Sequence, residues 1–443
     1  MHSFMMVFSI LLQVGSLLIS LYYLLIGIFG FIPAKQSDAK ADEPEKIHTF
    51  ALVAAAHNEA AVIGQLVDSL KALRYPKERY DIYIIADNCD DDTAQIARKH
   101  GAAVCERFDS VNTGKGWALD WMFRRLMERE KDYDYVCVFD ADNLADEDFL
   151  VEMNRAANRG EQVIQGYIDI KNPFDSWVTA SYALAGWSVN KIFQLPRYRL
   201  GLCCQLNGTG FAVAMPVLRE LGWGAGCLTE DMEFTMKLAI NDRRVTWAEK
   251  AVIYDEKPIG LRVSWRQRVR WMQGHCDVAG RYCKRLLKKA VTRMELAPFD
   301  CAVYLLQPVR VIAAGITLFF AYAQNFHPAG NFGFVQLSYL FDSPIVWNIV
   351  SLVQIFYLPF VVTWERKEFN WRYLLAYLIY PYFNMTWIPI CVQGVLFRKR
   401  KNWYHTGHTR SLSVGQMRRK TNYKKSRVFL KKKLKNVYGD KKA

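Results

Sequence analysis

The chain has 443 residues, 51% of them hydrophobic and 14% aromatic, which excludes disorder over most of its length and leaves enough apolar material for a sizeable core. Its formal net charge of +15 is local, because the segment from Arg398 onward carries 17 Lys and Arg against one acid, Asp440, and the remainder is close to neutral. Ten cysteines with no CxxC spacing fit a reduced compartment better than a disulfide framework or a zinc site.

Residues 5–33, MMVFSILLQVGSLLISLYYLLIGIFGFIP, contain no charge and are long enough to cross a bilayer. A cleaved signal peptide would need a basic n-region and a shorter apolar run. The first basic residue is Lys35, so the positive-inside rule puts the amino terminus outside and the following residues in the cytoplasm. We expect residues 1–33 to form a transmembrane helix and 34–280 a cytoplasmic domain.

Within that domain, TFALVAAAHNEAAVIGQLVDSLKAL predicts a short apolar strand, a break at His57 and Asn58, and a helix with apolar residues at 62, 63, 66, 67 and 70. A second unit, YDIYIIADNCDDDTAQIARKHG, ends its apolar run in Asp87, starts a helix in a cluster of acids and closes at Gly101. A third apolar run ends in YVCVFDAD. Strands alternating with helices, each strand ending in polar residues, predict an α/β domain with an open Rossmann-like sheet whose ligands bind beyond the strands' carboxyl ends. Asp140 and Asp142 fall at such an end. On a strand, residues two apart share a face about 6 to 7 Å apart, so both carboxylates can approach one divalent cation carried on a diphosphate. A loop of solvated acids capping the next helix accounts for DADNLADED equally well. An EF-hand from Asp87 fails, because Asp92 and Arg98 stand where Gly and Glu are needed, and NTGKGW lacks Walker A spacing.

Further along, Gln267, Arg270 and Trp271 lie at i, i+3 and i+4 of SWRQRVRWMQGH and share a face if helical. A planar guanidinium and an indole would then point together; a basic surface helix is the plainer alternative. Residues 281–298 carry an apolar stripe of Leu286, Leu287, Ala290, Val291 and Met294 among Lys and Arg, which predicts a separate amphipathic helix in the membrane interface. Apolar stretches at 299–323, 344–363 and 372–397 place a transmembrane region over 299–397, with Arg310 inside it as a functional candidate. Three full late spans would carry the tail outside. We therefore expect the last stretch, broken by Pro381 and Pro389, to be re-entrant or bent, and the basic tail 398–443 to be cytoplasmic and held near anionic lipid rather than on nucleic acid.

Four ordered segments, AAAHNEA, DNCDDDT with GKGWALD, FDADN, and TED with QRVRW, resemble the family 2 glycosyltransferases, most of all the membrane-embedded branch of hyaluronan, cellulose and poly-N-acetylglucosamine synthases. The resemblance covers residues 50–276 and implies a GT-A fold, an inverting transfer from a UDP-sugar, and Mg²⁺ or Mn²⁺. It implies that Asn58, Glu59, Asp87, Lys115 and Asp140 bind the nucleotide sugar, that Asp140 and Asp142 bind metal, and that Asp231 is the catalytic base with Glu230 beside it. Thr229 as a helix cap, with Glu230 and Asp231 complementing the dipole, is a reading compatible with that role. Gly208 and Gly210 in QLNGTGFAV, with Gln267, Arg270 and Trp271, would serve the acceptor and the diphosphate; by itself QLNGTGFAV is a turn before a strand. His57, Cys89 and Asp90 depart from the family's usual Tyr, Gly and Ser. The expected product is a growing polysaccharide, made processively and exported, with an accessory export subunit as a partner. Single-sugar transfer to a lipid-linked or oligosaccharide acceptor is the alternative, and a non-catalytic scaffold whose tail binds anionic lipid is the alternative of another class.

Overall fold

The computed structural model describes residues 2–32, 46–129, 131–326, 356–367 and 370–399. Nearly all of the basic tail and most of the apolar stretch at 344–363 lie outside the described residues.

Eight strands form one mixed sheet: β1 (Phe50–Ala56), β2 (Tyr80–Asp87), β3 (Ala103–Arg107), β4 (Tyr135–Asp140), β5 (Leu144–Ala145), β6 (Val163–Ile170), β7 (Phe211–Ala214) and β8 (Thr246–Asp255), in the order β3-β2-β1-β4-β7-β6-β8-β5. The three strands expected from apolar runs are β1, β2 and β4, and they pair in parallel, Ala56 beside Ala86 and Ala55 beside Asp140. Their runs lack alternation because both faces are covered, and every residue of β1 except Ala55 is buried. β7 runs antiparallel between β4 and β6, while β8 runs parallel to β6 with Ile170 beside Asp255. The carboxyl ends of β1, β2, β4, β6 and β8 and the start of β7 therefore share one rim.

Asp140 ends β4, but Asp142 does not continue it. Residues 141 and 142 form a turn, closed by the Asn143 N–H on the Asp140 carbonyl at 3.1 Å. The period-two argument for the two aspartates is thus corrected: a turn, not a strand, brings them together. From there the chain crosses to the far edge, where β5 pairs antiparallel with β8, Leu144 beside Tyr254.

The helix Glu230–Ile240 begins at the same rim, and a 33-residue helix, Leu261–Arg293, packs against it. The separate interface helix expected over 281–298 is the last part of this long helix, since Gly280 alone does not stop it and the chain reverses only at Met294, whose φ is 53°. The expected apolar stripe is divided. Leu286 and Ala290 are buried, Lys289 reaching the Ala239 and Ile240 carbonyls at 3.1 and 2.9 Å, whereas Val291 and Met294 are 71% and 90% exposed.

Among the described residues, two helices are long and apolar enough to cross a membrane, Met6–Ile28 and Trp371–Leu396. A third candidate is the pair Leu296–Leu305 and Gln307–Phe320, bent by 50°. The sharp bend thus falls at Leu306, before Pro308 in the first turn of a new helix, and not in 372–397 as expected. There Pro389 sits in the first turn of Trp387–Leu396, where its missing N–H costs little, and only Thr386 interrupts the run. The long helix is tied to this last span: Trp265 Nε1 donates to Gln393 Oε1 at 3.0 Å, Arg268 Nη1 to Thr386 Oγ1 at 2.8 Å and Gln273 Nε2 to the Phe397 carbonyl at 3.1 Å. At the other end, Arg197 and Asp300, both fully buried, pair through two hydrogen bonds of 2.8 and 2.9 Å, and Tyr22 of the first helix donates to Asp300 at 2.9 Å.

Candidate functional site

The rim gathers most of the residues singled out from the sequence. Lys115, the first residue of the helix Lys115–Met127, forms an ion pair with Asp140 and donates to the Gly208 carbonyl at 2.6 Å. Gly208 and Gly210 both have left-handed φ, 78° and 63°, which L side chains rarely adopt. A Cβ on Gly208 would lie 3.5 Å from Asp231 Oδ2 and 3.9 Å from Lys115 Nζ, so this loop, Lys115 and Asp231 adjoin. The Asp140 N–H donates to Thr209 Oγ1 at 3.0 Å and to Asn143 Oδ1 at 3.1 Å, which fixes the end of β4 to the same loop.

Glu230, buried, and Asp231, half-buried, open their helix side by side. Burial raises both pKa values; for Glu230 the neighbouring Asp231 adds to the rise while Lys115 and Arg270 oppose it, and for Asp231 the Met232 N–H and Lys115 oppose it. Burial works against the Lys115 ammonium, but Asp140, Glu230 and Asp231 outweigh it and hold that pKa up. Arg270 is pulled below its usual value by burial, against the field of Glu230, Asp140 and Asp231. Arg270 thus faces the acids from the long helix. What allows the approach is Gly274, one turn on, where any Cβ would sit 2.5 Å from Thr229 Oγ1. Gln267 Oε1 and Arg270 Nε are buried and have no hydrogen-bond partner among the described residues, polar atoms that a polar ligand would satisfy. Trp271 stands edge-on to Tyr182, ring centroids 6.4 Å apart.

On the β1–β2 side, Asp87 accepts from Arg107 Nη1 at 2.6 Å, a buried pair, and burial still leaves the Asp87 pKa raised. Asn58 has a φ of 56° and its Oδ1 accepts from the Asp90 N–H at 3.0 Å, while the N–H of the buried Glu59 donates to Thr93 Oγ1 at 2.8 Å. These contacts staple the loops after β1 and β2 together at the rim.

Asp255 was not anticipated. Its carboxylate, with those of Asp140 and Asp142, places one oxygen from each within 4.8 Å of the others. Asn143 Nδ2 bridges Asp142 Oδ1 at 3.3 Å and Asp255 Oδ1 at 3.1 Å; Lys257 forms an ion pair with Asp255, and Lys171 donates to the Asp142 carbonyl at 2.6 Å. The signal was present in IYDEKP, an apolar run that ends in an aspartate as β2 and β4 do. An all-oxygen set of three carboxylates fits a hard divalent cation such as Mg²⁺ or Mn²⁺.

A mixed α/β sheet of this order, with helices packed on it and acids gathered at one rim, is a fold of the GT-A type. Residues 48–274 match the family described as Glycosyltransferase like family 2, and the chain belongs to that family: it is a family 2 glycosyltransferase. A probable glycosyltransferase, YdaM, of Bacillus subtilis strain 168 is 24% identical over 395 residues, 79% of this chain and 84% of that one. A beta-monoglucosyldiacylglycerol synthase of Trichormus variabilis is 27% identical, matching 59% of this chain and 56% of its own length. A poly-beta-1,6-N-acetyl-D-glucosamine synthase of Staphylococcus epidermidis is 25% identical, with 58% and 63% covered. Among solved structures, a mannosyltransferase of Pyrobaculum calidifontis in complex with GDP-Man and Mn²⁺ superposes with a TM-score of 0.54 at 15% identity, covering 86% of this chain and 99% of that one, which establishes the shared fold.

Proposed function

We propose that this chain transfers a sugar from a UDP-sugar, with inversion at the anomeric carbon, onto a growing polysaccharide at the cytoplasmic face of the membrane, processively and with export. The observation that supports it best is the junction of Asp231, Gly208 and Lys115: a half-buried carboxylate of raised proton affinity beside a residue with no side chain, next to the cation that holds Asp140. In this reading Asp231 takes the proton from the acceptor hydroxyl as that oxygen attacks, and Glu230 keeps the local field acidic. Gly208 leaves room for the acceptor, whereas Gly210, expected to share that role, packs against Ile253, whose Cδ1 would lie 2.7 Å from any Cβ there. Arg270 and Lys115 bind the diphosphate as it departs, Gln267 and Trp271 line the acceptor side, and Asn58, Glu59 and Asp87 hold the nucleotide. Asp140, Asp142 and Asp255 would hold Mg²⁺ or Mn²⁺, which offsets charge on the leaving diphosphate.

The catalytic domain spans 34–280 with the rest of the long helix, and the spans on either side anchor it as a multi-pass protein with the site and the basic tail in the cytoplasm. The outward Leu287, Val291 and Met294, next to Lys284 and Lys288, suit contact with an anionic lipid surface. Single-sugar transfer to a lipid acceptor is the second reading, favoured by the relatives named as glucosyldiacylglycerol synthases. The test is turnover of labelled UDP-glucose, UDP-N-acetylglucosamine and UDP-glucuronate by the full chain, with and without Mn²⁺. Asp231→Asn should abolish turnover and keep UDP binding; product length separates polymer from single addition. Turnover of none of these donors under any divalent condition overturns the reading.

A further inference from the structure

Two of the three carboxylates that could take a divalent cation already carry a lysine ammonium. Lys115 sits on Asp140 and Lys257 on Asp255, while Asp142 receives neutral donors, Asn143 Nδ2 at 3.3 Å on one oxygen and the Glu256 N–H at 3.3 Å on the other. A cation that enters alone must therefore expel one or both ammonium groups from a half-buried, acid-lined site, and each expelled charge needs a new partner. For Lys115 one is at hand, since it also donates to the Gly208 carbonyl at 2.6 Å. Lys257 is different. Its backbone is clamped, its N–H donating to Asn172 Oδ1 at 2.9 Å and its carbonyl accepting from Asn172 Nδ2 at 2.8 Å, so only the side chain can move. Close to that side chain lies the face of the Tyr182 ring, 5.8 Å from Nζ to the centroid, on the aromatic wall that Trp271 joins. The other carboxylate whose field acts on Lys257 is Asp142, itself one of the three acids, so a captured cation competes with the ammonium for both.

We propose that Lys257, with Lys115, is a built-in counter-ion that makes capture of a divalent cation by Asp140, Asp142 and Asp255 conditional on the nucleoside diphosphate, which brings the negative charge the displaced ammonium groups need. The proposal rests on the metal-assisted nucleotide-sugar reading above and adds a residue to it. It makes Lys257 a positioning residue: before the donor arrives it holds Asp255 in place without metal, and with the donor bound it supplies a further cation beside the diphosphate. The linkage is reciprocal, so the diphosphate raises Mn²⁺ affinity by the factor that Mn²⁺ raises diphosphate affinity.

Mn²⁺ is titrated into the full-length protein in detergent micelles, free ion being read by electron paramagnetic resonance, with and without UDP. Wild type should bind Mn²⁺ tightly only with UDP. Lys257→Met should raise the UDP-free affinity by about tenfold, the loss of one unit charge at close range, and shrink the UDP effect correspondingly, while Lys257→Arg should keep the dependence on UDP. Lys115→Met provides a second variant should Lys257→Met not fold, and it too should bind Mn²⁺ more tightly without UDP. Asp142→Asn sets the background. Equal affinity of wild type with and without UDP, or lysine variants whose UDP-free affinity stays at the wild-type level while UDP still recruits Mn²⁺, overturns the proposal and leaves the carboxylate site standing. Absence of Mn²⁺ binding above the Asp142→Asn background in every condition overturns the site and the proposal together.

Discussion

Substitution of Gly274 by alanine tests whether the arginine-bearing helix must touch the start of the Glu230 helix. The added Cβ would lie 2.5 Å from Thr229 Oγ1 and 2.6 Å from its Cγ2, against 3.4 Å for an ordinary contact, so the two segments must part by about 0.9 Å. Overpacking of this kind costs about 1–3 kcal/mol, which the rest of the fold can absorb. Arg270 lies one turn before Gly274 on the same face and moves with it. A displacement of about 1 Å at a group that must meet the reacting atoms lowers turnover by roughly a hundredfold, and we expect kcat of Gly274→Ala to fall by that order. UDP affinity should change far less, because Lys115, Asp87 and the β1–β2 loops are untouched. The assay is steady-state transfer by the purified full chain, paired with a UDP-binding isotherm and a thermal melt. Thr229→Ala removes the two nearest atoms and leaves only its Cβ, at 3.0 Å, so Gly274→Ala combined with Thr229→Ala should recover much of the lost kcat, a coupling that a double-mutant cycle measures. Wild-type kcat in Gly274→Ala, or a double variant as slow as the single one, would refute the reasoning.

The raised pKa values of Glu230 and Asp231 set an acid limb. A base acts only when ionised, so kcat/KM should be present above the raised values and fall as pH drops through them, at higher pH than ordinary carboxylates allow, and Lys115→Met should move that limb further up. Arg197→Met leaves the buried Asp300 without its counter-ion, only the Tyr22 hydroxyl still donating to it, and should cost about 3–5 kcal/mol in a reversible melt, most of which Asp300→Leu added to it restores. In Asp255→Asn, UDP binding measured calorimetrically should lose most of its enhancement by Mn²⁺; full retention would remove Asp255 from the cation site. A reporter fused after Ala443 should be active only in the cytoplasm, and activity only outside the cell would reject the proposed topology.

Three of the strands and their rim were legible because β1, β2 and β4 are unbroken apolar runs that stop at polar residues, and a strand buried on both faces leaves that trace. β5 left none: two residues, Leu144 and Ala145, have no period, and it is their pairing with β8 that carries the chain across to Asp255. The Asn143–Asp255 contact spans 112 positions, a separation no local pattern encodes. Asp140 and Asp142 were found for a reason that fails, since the turn at 141–142 replaces the assumed strand, though the two acids still share a site. The long helix was cut in two by reading a change in charge pattern as a boundary, whereas only the left-handed Met294 ends it. For the bend, Pro381 and Pro389 drew the reading, yet Pro381 lies inside a helix and Pro389 rides in a first turn that tolerates it, while the true break comes before Pro308, which was not considered.

The bonds from Trp265, Arg268 and Gln273 to Gln393, Thr386 and Phe397 mean that the helix presenting Arg270 is braced from behind by the last apolar segment. The donor pocket and the anchor are consequently not interchangeable modules. A chimaera that borrows a relative's carboxyl-terminal half must import the bracing helix with it, and a fragment ending before Trp371 would retain the sheet and its acidic rim while losing the backing that aims the Arg270 guanidinium.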